Sequence, residues 1–199
     1  MAIAVANNNV TKKQQGLFIR GFKSWCENTS VSTRSKLGLD PYDPLSAYEL
    51  AKRLGVLVWS LDEVPGLTTE TLNFLSSSKG DEWSAVTVCY GDYNVIVINP
   101  RHSIGRTSSN LMHELSHIVL QHKAGASYFL DDFMIREYDE KQEAEADWLA
   151  GSLLLPRRAL EHVKYNRLDD EEVCDKYAVS SQLYNYRCRM TAINKQYTK

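Results

Sequence analysis

No stretch of this sequence approaches the ~18 consecutive apolar residues that a membrane span needs. Residues 1–10 have neither a basic start nor a long apolar run, so no secretory leader is expected. No Cys-x-x-Cys pair occurs. Cys26, Cys89, Cys174 and Cys188 stand far apart, in spacings that fit neither a disulfide framework nor a thiolate metal site. They are expected to be packing residues. Charge of one sign is not in excess: 23 Lys+Arg face 25 Asp+Glu, a net −2. The electrostatic footprint of a protein that coats nucleic acid or an anionic membrane is therefore missing. Repeats and low-complexity segments are absent too. What remains reads as a reduced, cytoplasmic, globular chain with 43% hydrophobic residues. At this length roughly 70% of the unfolded surface can be buried, so folding alone requires no staple.

The pattern of apolar and turn residues predicts few strands and many helices. A helix is expected over 12–27, carrying Leu17, Phe18, Phe22 and Trp25, followed by a polar loop over 28–36. Ser46 and Glu49 form a capping-box start for a helix at 47–54 that stops at Gly55. A buried strand at 56–59 and a weak helix at 69–75 follow. Residues 83–90 and 94–98 are rich in β-formers, with Gly91-Asp92-Tyr93 as the hairpin turn. Helices are expected at 108–122, 141–155, 157–166, 171–177 and 181–194. Strands segregated from helices imply an α+β fold, a small, mostly antiparallel sheet packed on helices. Residues 1–35 are expected as an N-terminal helix and linker, 36–166 as the core, and 167–199 as a helical lobe of the same compact unit.

The helix at 108–122 contains His113-Glu114-Leu115-Ser116-His117, the HExxH pattern. Histidines at i and i+4 share one helical face, so both imidazoles can bind one Zn2+. Glu114 sits about 100° round the helix. From there its carboxylate can act as general base on a water held by the ion, without ligating the ion. With five histidines in the chain, chance gives this pattern in about one such sequence in a hundred. Leu111, Met112, Leu115, Ile118 and Val119 form an apolar stripe, and the two histidines fall beside it on a common side. The plain alternative is two histidines satisfied at the edge of a core. His122 would lie about 140° from His117 on a continuing helix and is expected at the surface.

A catalytic zinc takes three protein ligands and keeps one position open. The third is not the histidine of the longer metzincin motif, because Leu120 and Lys123 stand where that motif needs glycine and histidine. The next long helix offers Glu143-Ala-Glu-Ala-Asp147, with Ala146, Leu149, Ala150, Leu153 and Leu154 as its buried stripe. Glu143 is the expected ligand, and Asp147, one turn on, is expected to hydrogen-bond the free nitrogen of a ligand histidine. Glu145 lies about 200° from Glu143, so both cannot face one ion, and it stands as the alternative ligand. Without the HExxH helix these carboxylates would read as a solvated acidic helix N-terminus.

Asn110-Leu-Met-His-Glu-Leu-Ser-His-Ile-Val-Leu-Gln-His122 resembles the HExxH helix of the ImmA/IrrE family of metallopeptidases. Glu143-Ala-Glu-Ala-Asp-Trp-Leu-Ala-Gly-Ser-Leu-Leu-Leu-Pro156 is similar to the block that ends that family's second helix. Weaker likenesses lie at Tyr48 to Val58, Trp83-Ser84, Ile98-Asn99-Pro100, and Val179-Ser180 with Arg187. Asp147 departs from the usual asparagine, Leu149 from phenylalanine and Ser109 from an aromatic residue. The resemblance implies a gluzincin-type zinc endopeptidase with one Zn2+ per chain and a small sheet flanking two metal-binding helices. His113, His117 and Glu143 would be the ligands and Glu114 the base. Known members cleave transcriptional repressors, so the implied partner is a protein substrate, a helix-turn-helix repressor.

A substrate peptide is expected to add as a strand at the exposed sheet edge near Ala85–Tyr90. A donor must stabilise the oxyanion, for which Tyr128, Tyr138 and His102 are the candidates. The ligand set favours zinc over manganese or iron. Two other classes compete with proteolysis. One is a regulatory or toxin–antitoxin partner built on a metallopeptidase fold. The other is a DNA-binding regulator with a helix-turn-helix at Glu171 to Arg189, where Tyr184, Arg187 and Arg189 would form the reading face. Asp169, Asp170, Glu171 and Glu172 would repel phosphate there, so direct nucleic-acid binding is not expected.

Overall fold

One helix, enclosed along its C-terminal half, organises the chain. α5 (Glu140–Leu154) starts at Asp139, whose carboxylate accepts from the backbone N–H groups of Lys141 and Gln142. From Trp148 to Leu154 every residue is buried. A stretch of helix buried all round must be covered on all sides. α4 (Ile104–Val119), α1 (Phe22–Lys36) and α8 (Ser181–Thr191) pack against it. The computed structural model describes residues 17–77, 83–90, 93–122, 127–130, 133–136 and 139–197. The expected turn residues Gly91 and Asp92 lie outside these.

α1 lies further along the chain than the sequence suggests. It begins after Gly21, which takes a left-handed φ of 90°, and it runs through the stretch expected as a loop. Its inward positions are Phe22, Cys26, Ser30 and Arg34. Two of these four are polar, so the inward stripe has no apolar period for a pattern search to find. Arg34 is fully buried. It donates to the carbonyl of Leu153 (2.8 Å), the carbonyl of Asp43 (2.8 Å) and the hydroxyl of Ser30 (2.6 Å). Arg187, on α8, donates to the carbonyl of Leu155 (2.9 Å) and pairs with Glu27 (2.5 Å). Two guanidinium groups thus serve the carbonyls that the end of α5 leaves without helical partners. Gly151 makes room for one of them, since a Cβ there would stand 3.1 Å from Arg187 Cδ.

The three-stranded sheet has the order β1 (Leu57–Trp59), β3 (Tyr93–Ile98), β2 (Ala85–Tyr90). β2 and β3 pair antiparallel with Thr87 opposite Ile96. β1, the shorter edge strand, joins β3 parallel, Val58 opposite Ile96. After the hairpin reversal β3 enters between β2 and β1, in the direction of β1. Ile96 joins the main core with Leu111 and Leu115 of α4. Val95 and Val97 face a second cluster with Leu61, Trp59 and Trp83 and with Leu72 and Leu75 of α3 (Thr69–Leu75). β4 (Ser127–Leu130) and β5 (Phe133–Arg136) form a separate antiparallel pair where the sequence reading had no element. α2 (Ala47–Leu54) matches its expected range.

α6 (Arg157–Asn166), α7 (Asp170–Tyr177), α8 and α9 (Asn194–Tyr197) complete the chain. Tyr184 and Arg187 of α8 point inward and are buried, which leaves Arg189 exposed from the proposed DNA-reading trio. Asp169 and Glu172 close a capping box on α7. Cys26 and Cys188 are buried, as packing residues are. Among the described residues no helix is long and apolar enough to cross a membrane.

Candidate metal centre

α4 and α5 lie side by side and bring the two sequence motifs together. Leu111, Met112 and Leu115 anchor α4 in the core, which leaves His113 and His117 on the flank facing α5. His113 Nε2 lies 3.0 Å from His117 Nε2 and 3.2 Å from Glu143 Oε2. His117 Nε2 lies 3.7 Å from the same oxygen. Donor atoms bound at about 2.0–2.1 Å in a tetrahedral site stand roughly 3.3 Å apart. The three spacings bracket that value, so these residues fit a single divalent ion. Among the described residues no other group of three or more His, Cys, Asp or Glu converges in this way.

The other side of each histidine is also engaged. His113 Nδ1 lies 2.8 Å from Asp147 Oδ1, the pairing the sequence spacing suggests. Burial works to lower the pKa of His113, but the hydrogen bonds to Asp147 and Glu143 outweigh it and hold the imidazole up at about 10. Hydrogen bonds from His113 and His117 hold the Glu143 carboxyl well below the usual carboxylate range. The cluster therefore draws positive charge to itself, whether a proton on His113 or a divalent ion between the three side chains.

Glu114 stands apart from the three. Its Oε2 accepts from Thr87 Oγ1 at 2.5 Å, which ties it to β2. Thr87 was not a sequence candidate. Strand alternation was the available signal, since Val86 and Val88 on either side are exposed and Thr87 faces α4.

Two residues take places the sequence did not indicate. His122 is not a free surface residue: its side chain is 9% exposed and its Nδ1 lies 2.9 Å from His117 Nδ1. The helical wheel fails here because α4 ends at Val119. Gln121 adopts a left-handed φ of 55° and its N–H returns to Ile118. The N–H of His122 returns to the carbonyl of His117 (3.0 Å), which closes a Schellman turn and swings the ring back along the helix. Glu145, the alternative ligand, turns to His122 Nε2 at 3.3 Å and not to the pair of Nε2 atoms.

Of the three oxyanion candidates, His102 has a described side chain. His102 Nδ1 meets Asn110 Nδ2 at 3.0 Å. His102 also lines a groove of about 570 Å³ with Pro44, Ile98, Thr107 and Tyr177, and none of His113, His117 or Glu143 borders it. Tyr128 lies on β4, where only the backbone is described, and Tyr138 lies outside the described residues.

No curated protein sequence matches the chain. The solved structure of a Mycobacterium tuberculosis transcriptional regulator is similar at 13% identity and a TM-score of 0.45, over 85% of this chain and 47% of that one. This chain thus spans about half the length of that structure. The family model described as the IrrE N-terminal-like domain, of the M78 peptidases, matches residues 51–189, from α2 to α8, and takes in both motif helices. The chain therefore belongs to the IrrE N-terminal-like family of M78 peptidases, whose metallopeptidase character agrees with a His113–His117–Glu143 group able to hold a metal.

Proposed function

We propose that this chain is a zinc-dependent endopeptidase that cleaves a regulatory protein, a helix-turn-helix repressor being the partner the family resemblance suggests. The observation that carries the reading is the spacing of three ligand atoms at 3.0, 3.2 and 3.7 Å, beside a fourth acidic side chain, Glu114, that is held off them. His113, His117 and Glu143 would hold the ion. When bound, zinc supplies Lewis acidity, polarising a carbonyl and lowering the pKa of a water to roughly 7. Glu114 takes that water's proton as it attacks the peptide carbonyl and returns it to the leaving amine. Thr87 fixes the orientation of the Glu114 carboxylate through its hydroxyl.

The substrate strand lies along β2. β2 is an edge of the three-stranded sheet, with β3 as its partner on one side. A peptide added there would run past Thr87, and so past Glu114, with its backbone recognised by main-chain hydrogen bonds. The outward Val86 and Val88 lie on the opposite face. Cleavage of a candidate helix-turn-helix repressor, with and without chelator, tests the reading. Glu114→Gln should keep its metal and lose roughly 10²–10⁴-fold in cleavage rate. Cleavage by this variant at the normal rate would rule the mechanism out.

A further inference from the structure

The two ligand histidines are supported in different ways. His113 Nδ1 meets a carboxylate directly, that of Asp147. His117 Nδ1 meets another imidazole, that of His122, and only behind it comes a carboxylate, Glu145. Lys141 Nζ lies 3.8 Å from the remaining oxygen of Glu145. We propose that His122 and Glu145 are positioning residues for the metal site, acting through His117. The inference rests on the metal reading above.

The hydrogen positions follow from donor and acceptor chemistry. A neutral imidazole has one N–H and one lone pair. If His117 Nε2 gives its lone pair to the ion, its N–H must be at Nδ1. The neighbouring His122 Nδ1 then has to accept, which places the N–H of His122 on Nε2. That group faces Glu145 Oε2, which is an acceptor. Every group in the chain Glu145–His122–His117 is satisfied in one arrangement, and that arrangement leaves His117 Nε2 unprotonated and aimed at His113 Nε2 and Glu143. The ring of His122 is also confined. The Schellman turn at Gln121 sets its backbone, and its ring centroid lies 5.0 Å from that of His117 at 69°. Such support fixes ring orientation and ligand basicity, and its loss typically weakens metal binding 10–100-fold.

The test reads metal binding and not turnover. Zinc affinity of the full chain is measured by chelator competition, and cobalt-loaded protein gives a visible absorption spectrum that reports ligand geometry. His122→Phe fills the same space but cannot accept from His117. It should bind zinc roughly 10–100-fold more weakly and shift the cobalt spectrum. Glu145→Ala should weaken binding in the same direction, and Glu145→Gln, whose amide oxygen can still accept, should restore it to within about threefold. If His122→Phe does not fold, the Glu145 pair decides. Wild-type affinity and an unaltered spectrum in both His122→Phe and Glu145→Ala would overturn the inference. So would loss of metal in Glu145→Gln as complete as in Glu143→Gln, which would make Glu145 a ligand. If the unaltered protein itself binds neither zinc nor cobalt, the metal reading falls and this inference with it.

Discussion

The two ends of α5 are built from the same kind of helix and serve opposite purposes. Its N-terminal half carries Glu143, Glu145 and Asp147, three acidic side chains within five residues. The Asp147 side chain is 64% exposed and that of Glu143 33% exposed. Its C-terminal half is buried throughout and closes on two fully buried arginines, Arg34 and Arg187. The helix dipole favours acids in the first turn, Glu140 and Glu143, and cations at the C-terminus. The difference lies in what each charge does. At the C-terminus the arginines satisfy carbonyls that cannot reach water, so they hold the fold together. At the N-terminus the carboxylates point at two histidines of α4 and one just past its end, so they make a site. One end should lose a charge at little cost to the fold, and the other only at a large cost.

The largest effect is expected at the buried end. Arg34→Ala removes the donors of the Leu153 and Asp43 carbonyls together. It should destabilise the fold by about 3–5 kcal/mol and lower the midpoint of thermal unfolding by roughly 10 °C. A loss below about 1 kcal/mol in denaturant titrations would erase the contrast between the two ends. Asp147→Ala, at the other end, should weaken zinc binding roughly 10–100-fold. Because Asp147 is exposed, unfolding of the metal-free protein should move much less than in Arg34→Ala, the loss being the share that Asp147 contributes to holding charge on His113. A stability loss matching that of Arg34→Ala would show that the site end is structural as well.

A pH series sharpens the same comparison. His113, raised from an ordinary 6.5 to about 10, stabilises the metal-free fold fully below pH 6.5 and loses that contribution as pH climbs toward 10. Glu143, held below its ordinary 4.5, contributes above that pH and loses its contribution as pH falls toward its folded value. Their joint contribution is therefore fullest between pH 4.5 and 6.5. The stability gap between wild type and His113→Ala, both in chelator, should narrow from about pH 6 to about pH 10. Zinc affinity should run the other way and rise with pH, because His113 must give up its proton. A gap that stays constant would contradict the proximity of His113 to Asp147 and Glu143. The smallest effect is at the cap: Asp139→Ala removes an acceptor from the first turn of α5 and should cost about 1 kcal/mol. Zinc affinity should stay within about threefold, since the ligand-bearing turn follows the cap.

Much of the site was legible because its chemistry imposes a local spacing. His113 and His117 sit one turn apart on a helix, as do Glu143 and Asp147, and both pairs could be read without knowing how the helices pack. The fold was legible where burial is apolar, as in the α5 stripe and the β2–β3 pair. It was not legible where burial is polar. Ser30 and Arg34 hide the inward face of α1, and Arg187 reads as a surface or DNA-facing cation until Leu155 and Glu27 are seen around it. His122 was misplaced for a geometric reason. A residue count assumes that the helix continues, and a left-handed glutamine, not the usual glycine, stops it at that point. The parallel pairing of β1 depends on where the hairpin enters the sheet, which no local pattern records.

The most direct test is zinc binding by wild type and Glu143→Gln, measured by chelator competition at one pH. Wild type should bind about one equivalent, and Glu143→Gln should bind at least roughly 100-fold more weakly, because the amide is a poor replacement for an anionic ligand. Zinc bound by Glu143→Gln as tightly as by wild type would contradict a centre built from His113, His117 and Glu143.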